Sequence, residues 1–281
     1  MRETRIYGQP TPVTGRALRV VVPCEDPCVS ASELGSGLPD RVVLAILDER
    51  PFCWVELDGT AMGCDVEVAT IVLRRAGIRS VSVQPVTFAE LIPGLLAGRW
   101  QLNTGMFITA ARRRQVRFTR PIWAVPDGLI VRSDDAGRFA TYRDLGADAN
   151  ARLGVVVGQV QGDSARHAGV PDERLVFFAT QDDAVHGVRH GEIDAAASTA
   201  IGNRALIARM DAVDLVAVDL GTPVGGGRQP VPVGAFSLSL EQTALAAALD
   251  AQLAVFLGSP QHRAIMTRYG FTDQDVDAAL S

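Results

Sequence analysis

The fold is decided by AELIPGLLAGRWQLNTGMFITAARRR, residues 89–114. The first half predicts a helix that ends near Gly98, because glycine commonly follows the last helical turn. LNTGMFI, residues 102–108, predicts a strand. Thr109 carries the side chain of a helix N-cap, so a second helix is expected from Ala110. Alternation of helix and strand is typical of an α/β architecture.

The same arrangement recurs in the second half of the chain. LLAGRWQLN, residues 95–103, has its counterpart in VRHGEIDAA, residues 188–196, where a helix that ends in glycine again precedes a strand. VVLAIL, residues 42–47, predicts a buried strand, and a hairpin is expected about Asp58 and Gly59. The pattern predicts two similar α/β lobes with a cleft between them, and such clefts are preferred ligand sites.

Further runs complete the predicted order of elements. A strand at Val20–Val22 is expected within a Pro/Gly-rich extension, residues 1–40, and GTPVGGGRQPVP, residues 221–232, is expected to cross between lobes. Other predicted strands are GLIVRSDD (128–135), RLGVVVG (152–158), RLVFFA (174–179) and VGAFSLS (233–239). The chain is predicted to end with a strongly amphipathic helix at 241–258 and a last short helix at 259–271.

The bulk composition disfavours some classes of function. The chain has 281 residues, 47% hydrophobic and 21% charged, which suffices for a packed core and is too long for one small domain. Its net charge is −5, whereas proteins that hold polyanions are usually basic. Nucleic-acid binding is therefore disfavoured, and most of the arginines at 112–120 are interpreted as a solvated face.

The cysteines and histidines predict no metal or disulfide framework. Cys53 and Cys64 flank the hairpin and would be able to pair in an oxidising compartment, but free thiols are the preferred interpretation. His186 and His190 lie one helical turn apart, as two metal ligands would. No third ligand completes the set in that stretch, so both are interpreted as surface residues, and no cofactor is expected.

One arginine of the cluster stands apart by position. Arg112 falls in the first turn of the helix that Thr109 caps. The helix macrodipole opposes a cation there. A bound anion would make a cation favourable at this position, because the anion would accept hydrogen bonds from both the helix N–H groups and the guanidinium.

The order and spacing of six blocks resemble the solute-binding proteins of ABC importers, family 3. The blocks are LDERPFCWVELDGTAMGCDVEVA (47–69), FAELIPGLLAGRW (88–100), MFITAARRRQVRFTRPIW (106–123), GVVVGQVQG (154–162), HGEIDAAAST (190–199) and VGAFSLS (233–239). This resemblance implies a type II periplasmic-binding-protein fold with two strand crossings and a hinge. Lobe 1 would comprise residues 41–131 and 233–281, and lobe 2 residues 132–232.

The resemblance also implies a set of ligand-binding residues. Arg112 matches the family's carboxylate-binding arginine. Glu49, Phe52, Phe88 and Phe107 match the site for a compact cyclic zwitterion in the ectoine binders, where aromatic faces attract a delocalised cation. For any one of these phenylalanines, core packing is the competing interpretation.

Lobe 2 is expected to add Gln159, Val160 and Gln161, on a loop where relatives place hydrogen-bonding residues. Thr199 stands where amino-acid binders often have the aspartate that holds the α-ammonium. Threonine carries no charge, so an unusual ligand is favoured over a standard α-amino acid.

The main expectation is a non-catalytic, monomeric receptor for a small zwitterion that delivers its ligand to an ABC permease. Two alternatives remain open: a same-fold enzyme of the cyclohexadienyl dehydratase type, with Glu49 as general acid, and a cytoplasmic ligand-sensing protein. The resemblance implies a periplasmic or extracytoplasmic location. No signal peptide is recognised at the start, because ALRVVVPC, residues 17–24, is short and interrupted by Arg19.

Overall fold

A computed structural model describes residues 6–7, 18–19, 37–220 and 231–281. The predicted strand at Val20–Val22 and nearly all of the predicted crossing at 221–232 lie outside the described residues. The strands are β1 (Ile6–Tyr7), β2 (Leu18–Arg19), β3 (Arg41–Ile46), β4 (Trp54–Val55), β5 (Ala61–Met62), β6 (Ser80–Pro85), β7 (Leu102–Phe107), β8 (Val116–Phe118), β9 (Trp123–Ala124), β10 (Asp127–Arg132), β11 (Leu153–Val156), β12 (Leu175–Phe178), β13 (Ala195–Thr199), β14 (Leu215–Asp219) and β15 (Val233–Ser239). The helices are α1 (Cys64–Arg75), α2 (Leu91–Leu96), α3 (Ala110–Arg113), α4 (Tyr142–Ala147), α5 (Gln161–His167), α6 (Gln181–Arg189), α7 (Ala200–Met210), α8 (Thr243–Phe256), α9 (Pro260–Arg268) and α10 (Asp273–Leu280).

The described residues divide into two compact units. The Arg112 unit comprises β2 and residues 37–86, 90–124 and 232–281. The Thr199 unit comprises β1, residues 87–89 and the described residues from 125 to 231. The chain enters the Thr199 unit briefly at residues 87–89, passes to it again after residue 124 and returns after residue 231.

Each unit is built on one mixed sheet. In the Arg112 unit the strand order is β2-β6-β3-β7-β15-β8, with β9 paired to β15. β6, β3 and β7 run parallel, and β15 is antiparallel to β7. In the Thr199 unit the order is β1-β12-β11-β13-β10-β14, parallel as far as β13 and antiparallel beyond it.

The sheet of the Thr199 unit has an apolar core on each face. Leu129 and Val131 of β10 belong to one buried cluster, whereas Ile130 belongs to the other. This alternation follows from the period of two along a strand. Parallel strands need both faces covered by helices, which explains the run of apolar residues in these strands.

Most predicted elements are confirmed, with differences at helix starts and strand ends. The expected strand at 128–135 ends at Arg132 and gives way to a 3₁₀ turn, Ser133–Asp135. The sequence interpretation missed α4 and α10. Both helices begin with a capping box, Thr141 with Asp144 and Thr272 with Asp275, in which each side chain bonds the other residue's backbone N–H.

Helix α8 is less amphipathic than predicted. Leu245, Leu249 and Leu253 are buried along one face, but Val255 is 77% exposed. Within the described residues no single helix is long and apolar enough to cross a membrane. Helices α8 and α9 reach that length and apolarity only together, and they meet at 91°.

Arg174 holds the C-terminal end of α4 and the loop after it. Its guanidinium donates to the carbonyl oxygens of Leu145 and Gly146 at 2.8 Å, and also to those of Asp148 and Ala151. We expect Arg174→Met to lower the free energy of unfolding by about 2 kcal/mol, because several carbonyls lose a charged donor. Urea denaturation measures this. The exposed Arg143 of the same helix supplies the control, and an equal loss in Arg143→Met would contradict the assignment.

Candidate functional site

Arg112 is sheltered at the start of α3. Thr109 caps the helix as predicted, its hydroxyl accepting the N–H of Arg112 at 3.1 Å. The Arg112 side chain turns back, and its Nη1 donates to the carbonyl oxygen of Phe107 at 2.7 Å. Arg112 is only 8% exposed, whereas Arg113 and Arg114 are exposed. The difference in exposure agrees with the selection of Arg112 from the cluster, and its contact with a ligand stays a prediction.

Glu49 and Phe52 belong to the turn that follows β3. The N–H of Glu49 donates to the carbonyl of Cys53 at 2.8 Å, and the carbonyl of Glu49 accepts from the N–H groups of Phe52 and Cys53 at 2.9 and 3.0 Å. Glu49 is half-buried. The closed turn fixes the backbone of both residues, and ligand contact by either residue stays a prediction.

Phe52 and Phe107 pack on one tryptophan that the sequence interpretation did not single out. The ring centroids of Phe52 and Trp123 lie 5.1 Å apart, and those of Phe107 and Trp123 lie 5.2 Å apart at 88°. Phe52 also meets the edge of Phe271 at 6.0 Å. Phe52 is 4% exposed and Phe107 8% exposed. Both phenylalanines therefore serve the packing of the Arg112 unit, and a ligand role would be additional to it.

Two glycines, Gly105 and Gly234, leave the space that the Trp123 indole occupies. A Cβ added to Gly234 would lie 2.0 Å from the indole ring, and one added to Gly105 would lie 2.7 Å from its nitrogen. The indole N–H donates to Asp65 Oδ1 at 3.1 Å. Only glycine permits this close approach, so Trp123 is set in one position beneath Phe52 and Phe107. The signal in the sequence was the tryptophan that ends the arginine block.

Asp65 is a buried carboxyl with several donors. Its Oδ2 accepts from the Thr104 hydroxyl at 2.7 Å and from the Gly105 N–H at 2.8 Å. Cys64 and Cys53 lie beside this cluster as buried free thiols. Burial raises the pKa of Asp65 to about 6, although the hydrogen bonds act to lower it. Asp65 couples the start of α1 to β7 and to Trp123.

This pKa predicts how stability depends on pH. A carboxyl with a pKa of about 6 in the folded chain, and near 3.8 in the unfolded one, binds its proton more tightly when folded. The contribution of Asp65 to the free energy of unfolding therefore falls as pH rises from about 4 to 6 and then levels off. We expect the free energy of unfolding of the wild type, minus that of Asp65→Asn, to fall by about 2 kcal/mol between pH 4 and pH 7, as measured by urea denaturation.

His262 shapes the pH dependence in the opposite sense. Burial lowers the pKa of His262 to about 4. The contribution of this histidine to the free energy of unfolding is therefore lost as pH falls from about 6.5. The histidine is present in both proteins, and subtraction removes its effect. A difference between wild type and Asp65→Asn that stays flat or rises with pH would contradict the assignment to Asp65.

The Thr199 unit brings together the remaining predicted residues in two places. Phe88, half-buried, lies against Gly158, where an added Cβ would be 3.4 Å from the phenylalanine ring. Gly158 has a φ of +85°, which places the loop of Gln159–Gln161 directly after a left-handed turn. Thr199 is 4% exposed and caps α7, its hydroxyl accepting the N–H of Gly202 at 3.1 Å. Phe88 therefore joins the glutamine loop, and Thr199 has a structural role at its helix.

A half-buried carboxylate, that of Asp127, contacts the glutamine loop. Asp127 begins β10 and pairs in register with Thr199. Its Oδ1 accepts from Gln161 Nε2 at 2.8 Å, and its Oδ2 accepts from the Tyr142 hydroxyl at 3.0 Å. Burial raises the pKa of Asp127, with these bonds acting against it. The sequence interpretation did not find Asp127, because its partners are distant along the chain.

The paired histidines of α6 lie at the surface. His186 and His190 are exposed, with ring centroids 6.3 Å apart and His190 Nδ1 2.8 Å from the carbonyl oxygen of His186. The part of the chain that the structure describes holds no group of three or more His, Cys, Asp or Glu side chains suited to a metal ion.

The strand orders of the two sheets, together with the similar solved structures, define a class of protein, the type II periplasmic-binding-protein fold. The model of the family described as bacterial extracellular solute-binding proteins, family 3, matches residues 42–272. The chain therefore belongs to this family. It is a solute-binding protein of the kind that serves amino-acid ABC transporters.

Similar proteins support this assignment. The probable amino-acid ABC transporter periplasmic-binding protein y4tE of Sinorhizobium fredii is 28% identical over 240 residues, which cover 84% of this chain and 79% of that protein. The crystal structure of EhuB in complex with hydroxyectoine has a TM-score of 0.76 and 25% identity, covering 86% of this chain and 91% of that chain. An arginine-bound mutant of ArgBP from T. maritima has a TM-score of 0.65 and 25% identity, covering 77% and 95%.

Proposed function

We propose that the chain is a non-catalytic, extracytoplasmic receptor for a compact zwitterion, which it passes as a monomer to the permease of an ABC importer. The single observation that carries this proposal is the sheltered guanidinium of Arg112 at the first turn of α3. An arginine in a sheltered place binds a carboxylate through two parallel hydrogen bonds. Family membership supplies the transport role and the expected location outside the cytoplasm.

The positive end of the ligand is assigned to Glu49 and the aromatic rings. Glu49 and Phe52 belong to one closed turn, and Phe107 provides the carbonyl that holds Arg112. A carboxylate and aromatic faces together suit a delocalised cation. In the Thr199 unit, Phe88, Gln159, Val160, Gln161 and Thr199 are proposed to contribute uncharged contacts. EhuB, whose structure contains hydroxyectoine, supports a ligand of this kind.

Calorimetric titration tests the proposal. The purified chain is titrated with ectoine, hydroxyectoine and each common amino acid, after a thermal-shift screen of the same compounds. We expect one-to-one binding of at least one compact zwitterion and no consumption of it. The proposal is wrong if no zwitterion binds. Turnover of a bound acid would favour the dehydratase-type enzyme instead.

A further inference from the structure

A cavity opens on the Arg112 unit at the end of its sheet where β7 begins and β15 ends. Its volume is about 300 Å³, which is enough for a small organic ligand. Trp100 and Gln101, which precede β7, contribute to its lining, and so do residues 239–242, which end β15 and lead into α8. Leu96 and Leu240 also line the cavity and are 55% and 47% exposed, so a molecule can reach it from solvent.

The cavity is separate from the place of Arg112. Arg112 donates to the carbonyl of Phe107, the last residue of β7, whereas Gln101 directly precedes the first. From Gln101 to Phe107 the strand spans about 20 Å, at about 3.3 Å a residue. None of the described residues that are proposed to bind the zwitterion lines this cavity. A ligand bound here would therefore be additional to the transported one.

Two glutamines of the lining hold their amides in a fixed orientation. Oε1 of Gln101 accepts the N–H of Val43 at 3.0 Å, and Oε1 of Gln242 accepts the N–H of Ser239 at 3.3 Å. A rotated amide would set N–H groups against these backbone donors, so each oxygen must face its backbone partner. Neither Nε2 atom makes a hydrogen bond with the residues that the structure describes. Both amides can therefore donate N–H groups to a ligand.

Exposed apolar surface is concentrated at the same cavity. Six large apolar side chains are exposed among the described residues, and two of them, Leu96 and Leu240, line it. The indole of Trp100 adds aromatic surface to the lining. Exposed apolar surface that adjoins polar groups is typical of a binding site. A ligand with an apolar body would remove part of this surface from water, which favours binding.

Glu241 is the charged residue of the lining, and it decides which ligand charge is favoured. Glu241 is exposed and makes no ion pair with the described residues. A ligand carboxylate would accept from the glutamine amides but would be repelled by Glu241, whereas an ammonium would be attracted by Glu241 but would meet the amide N–H donors. A carboxamide satisfies both groups, because its oxygen accepts from Nε2 and its own N–H donates to the carboxylate.

We propose that this cavity is a second ligand site, which takes an uncharged carboxamide carried on a compact apolar body. The amides of Gln101 and Gln242 bind its oxygen, Glu241 accepts its N–H, and the leucines cover its apolar part. The site does not depend on the zwitterion receptor proposed above, so either proposal can fail without the other.

NMR of the isotope-labelled chain tests the site with benzamide, benzoate and benzylamine, which share a ring and differ in charge. We expect benzamide to bind with a Kd of about 1–10 mM, as suits a ligand of this size, and the two charged compounds to bind at least about fivefold more weakly. The indole N–H signal of Trp100 should shift with benzamide, while those of Trp54 and Trp123 stay in place. A Trp100 signal that does not move, or equal binding of all three compounds, would overturn the proposal.

Two substitutions remove the donors while they keep the backbone contacts. Gln101→Glu and Gln242→Glu each retain an oxygen for the backbone N–H and replace Nε2 by a carboxylate oxygen. The double variant should bind benzamide at least about tenfold more weakly and should prefer benzylamine. Gln274→Glu adds negative charge at an exposed position of α10 and should change neither affinity. The assignment of the amides is wrong if the double variant still prefers benzamide.

A leucine substitution tests the apolar part of the site. Leu240→Ala should weaken benzamide binding about threefold, because less apolar surface is covered. Leu57→Ala, at an exposed leucine of the turn between β4 and β5, should leave it unchanged. Equal effects of the two substitutions would place the benzamide outside this cavity and would contradict the proposal.

Discussion

Arg112→Ala is expected to abolish measurable binding of the ligand, with affinity falling about 100-fold or more. Truncating one partner of a sheltered, hydrogen-bonded charge pair costs about 2–5 kcal/mol, and part of this is the penalty of leaving the other charge unpaired. Arg112→Lys should also bind weakly, because an ammonium lacks the planar fork that meets both carboxylate oxygens. Calorimetric titration with the zwitterion found in the screen measures both losses.

The matched control lies two residues further along the same cluster. Arg114 is exposed, so Arg114→Ala should change affinity by less than about twofold, as surface charges contribute little. Circular dichroism must show that Arg112→Ala is folded, since its bond to the Phe107 carbonyl is also lost. Equal losses of affinity in the two variants would show that the cluster acts only through its overall charge.

Gly234→Ala is expected to damage both stability and binding. The new Cβ would lie 2.0–2.3 Å from three carbons of the Trp123 indole, so the ring must move. Overpacking of this kind costs about 1–3 kcal/mol and sometimes more. Because Phe52 and Phe107 both pack on Trp123, displacement of the indole should also lower ligand affinity, by about tenfold. Urea denaturation and calorimetry measure the two effects.

Gly94→Ala is the control for overpacking alone. Its Cβ would approach the Trp100 indole equally closely, at 2.0 Å. Trp100 packs under the guanidinium of Arg99, 4.7 Å from the ring centroid, and donates to Asn103. We expect Gly94→Ala to lose stability while keeping its affinity. If Gly94→Ala loses as much affinity as Gly234→Ala, Trp123 has no special role beneath the two phenylalanines.

Elements with strong local signals could be predicted from the sequence. The strand β3, the hairpin and the Thr109 cap follow from apolar period, turn residues and capping chemistry, which act over a few residues. The two helices that were missed, α4 and α10, also carry a local signal, the capping box. Neither helix shows a recognisable apolar period, because each buries only one residue, Leu145 in α4 and Val276 in α10.

The site was less predictable because its contacts are distant along the chain. Arg112 is predicted from its place after a capping threonine and from the family resemblance; its burial agrees with that choice, and its ligand contact stays a prediction. Gly105 and Gly234 both contact the Trp123 indole, although no local sequence pattern links the two glycines. The bond from Gln161 to Asp127 crosses 34 residues. Such contacts arise from strand order, which a single sequence does not state.

The most direct measurement is a crystal structure of the chain with the zwitterion that binds most tightly in the screen. We predict two hydrogen bonds, each about 2.7–2.9 Å long, from the Arg112 guanidinium to the ligand carboxylate. A ligand whose carboxylate is held by other residues, with the Arg112 side chain making no contact to it, would contradict the account.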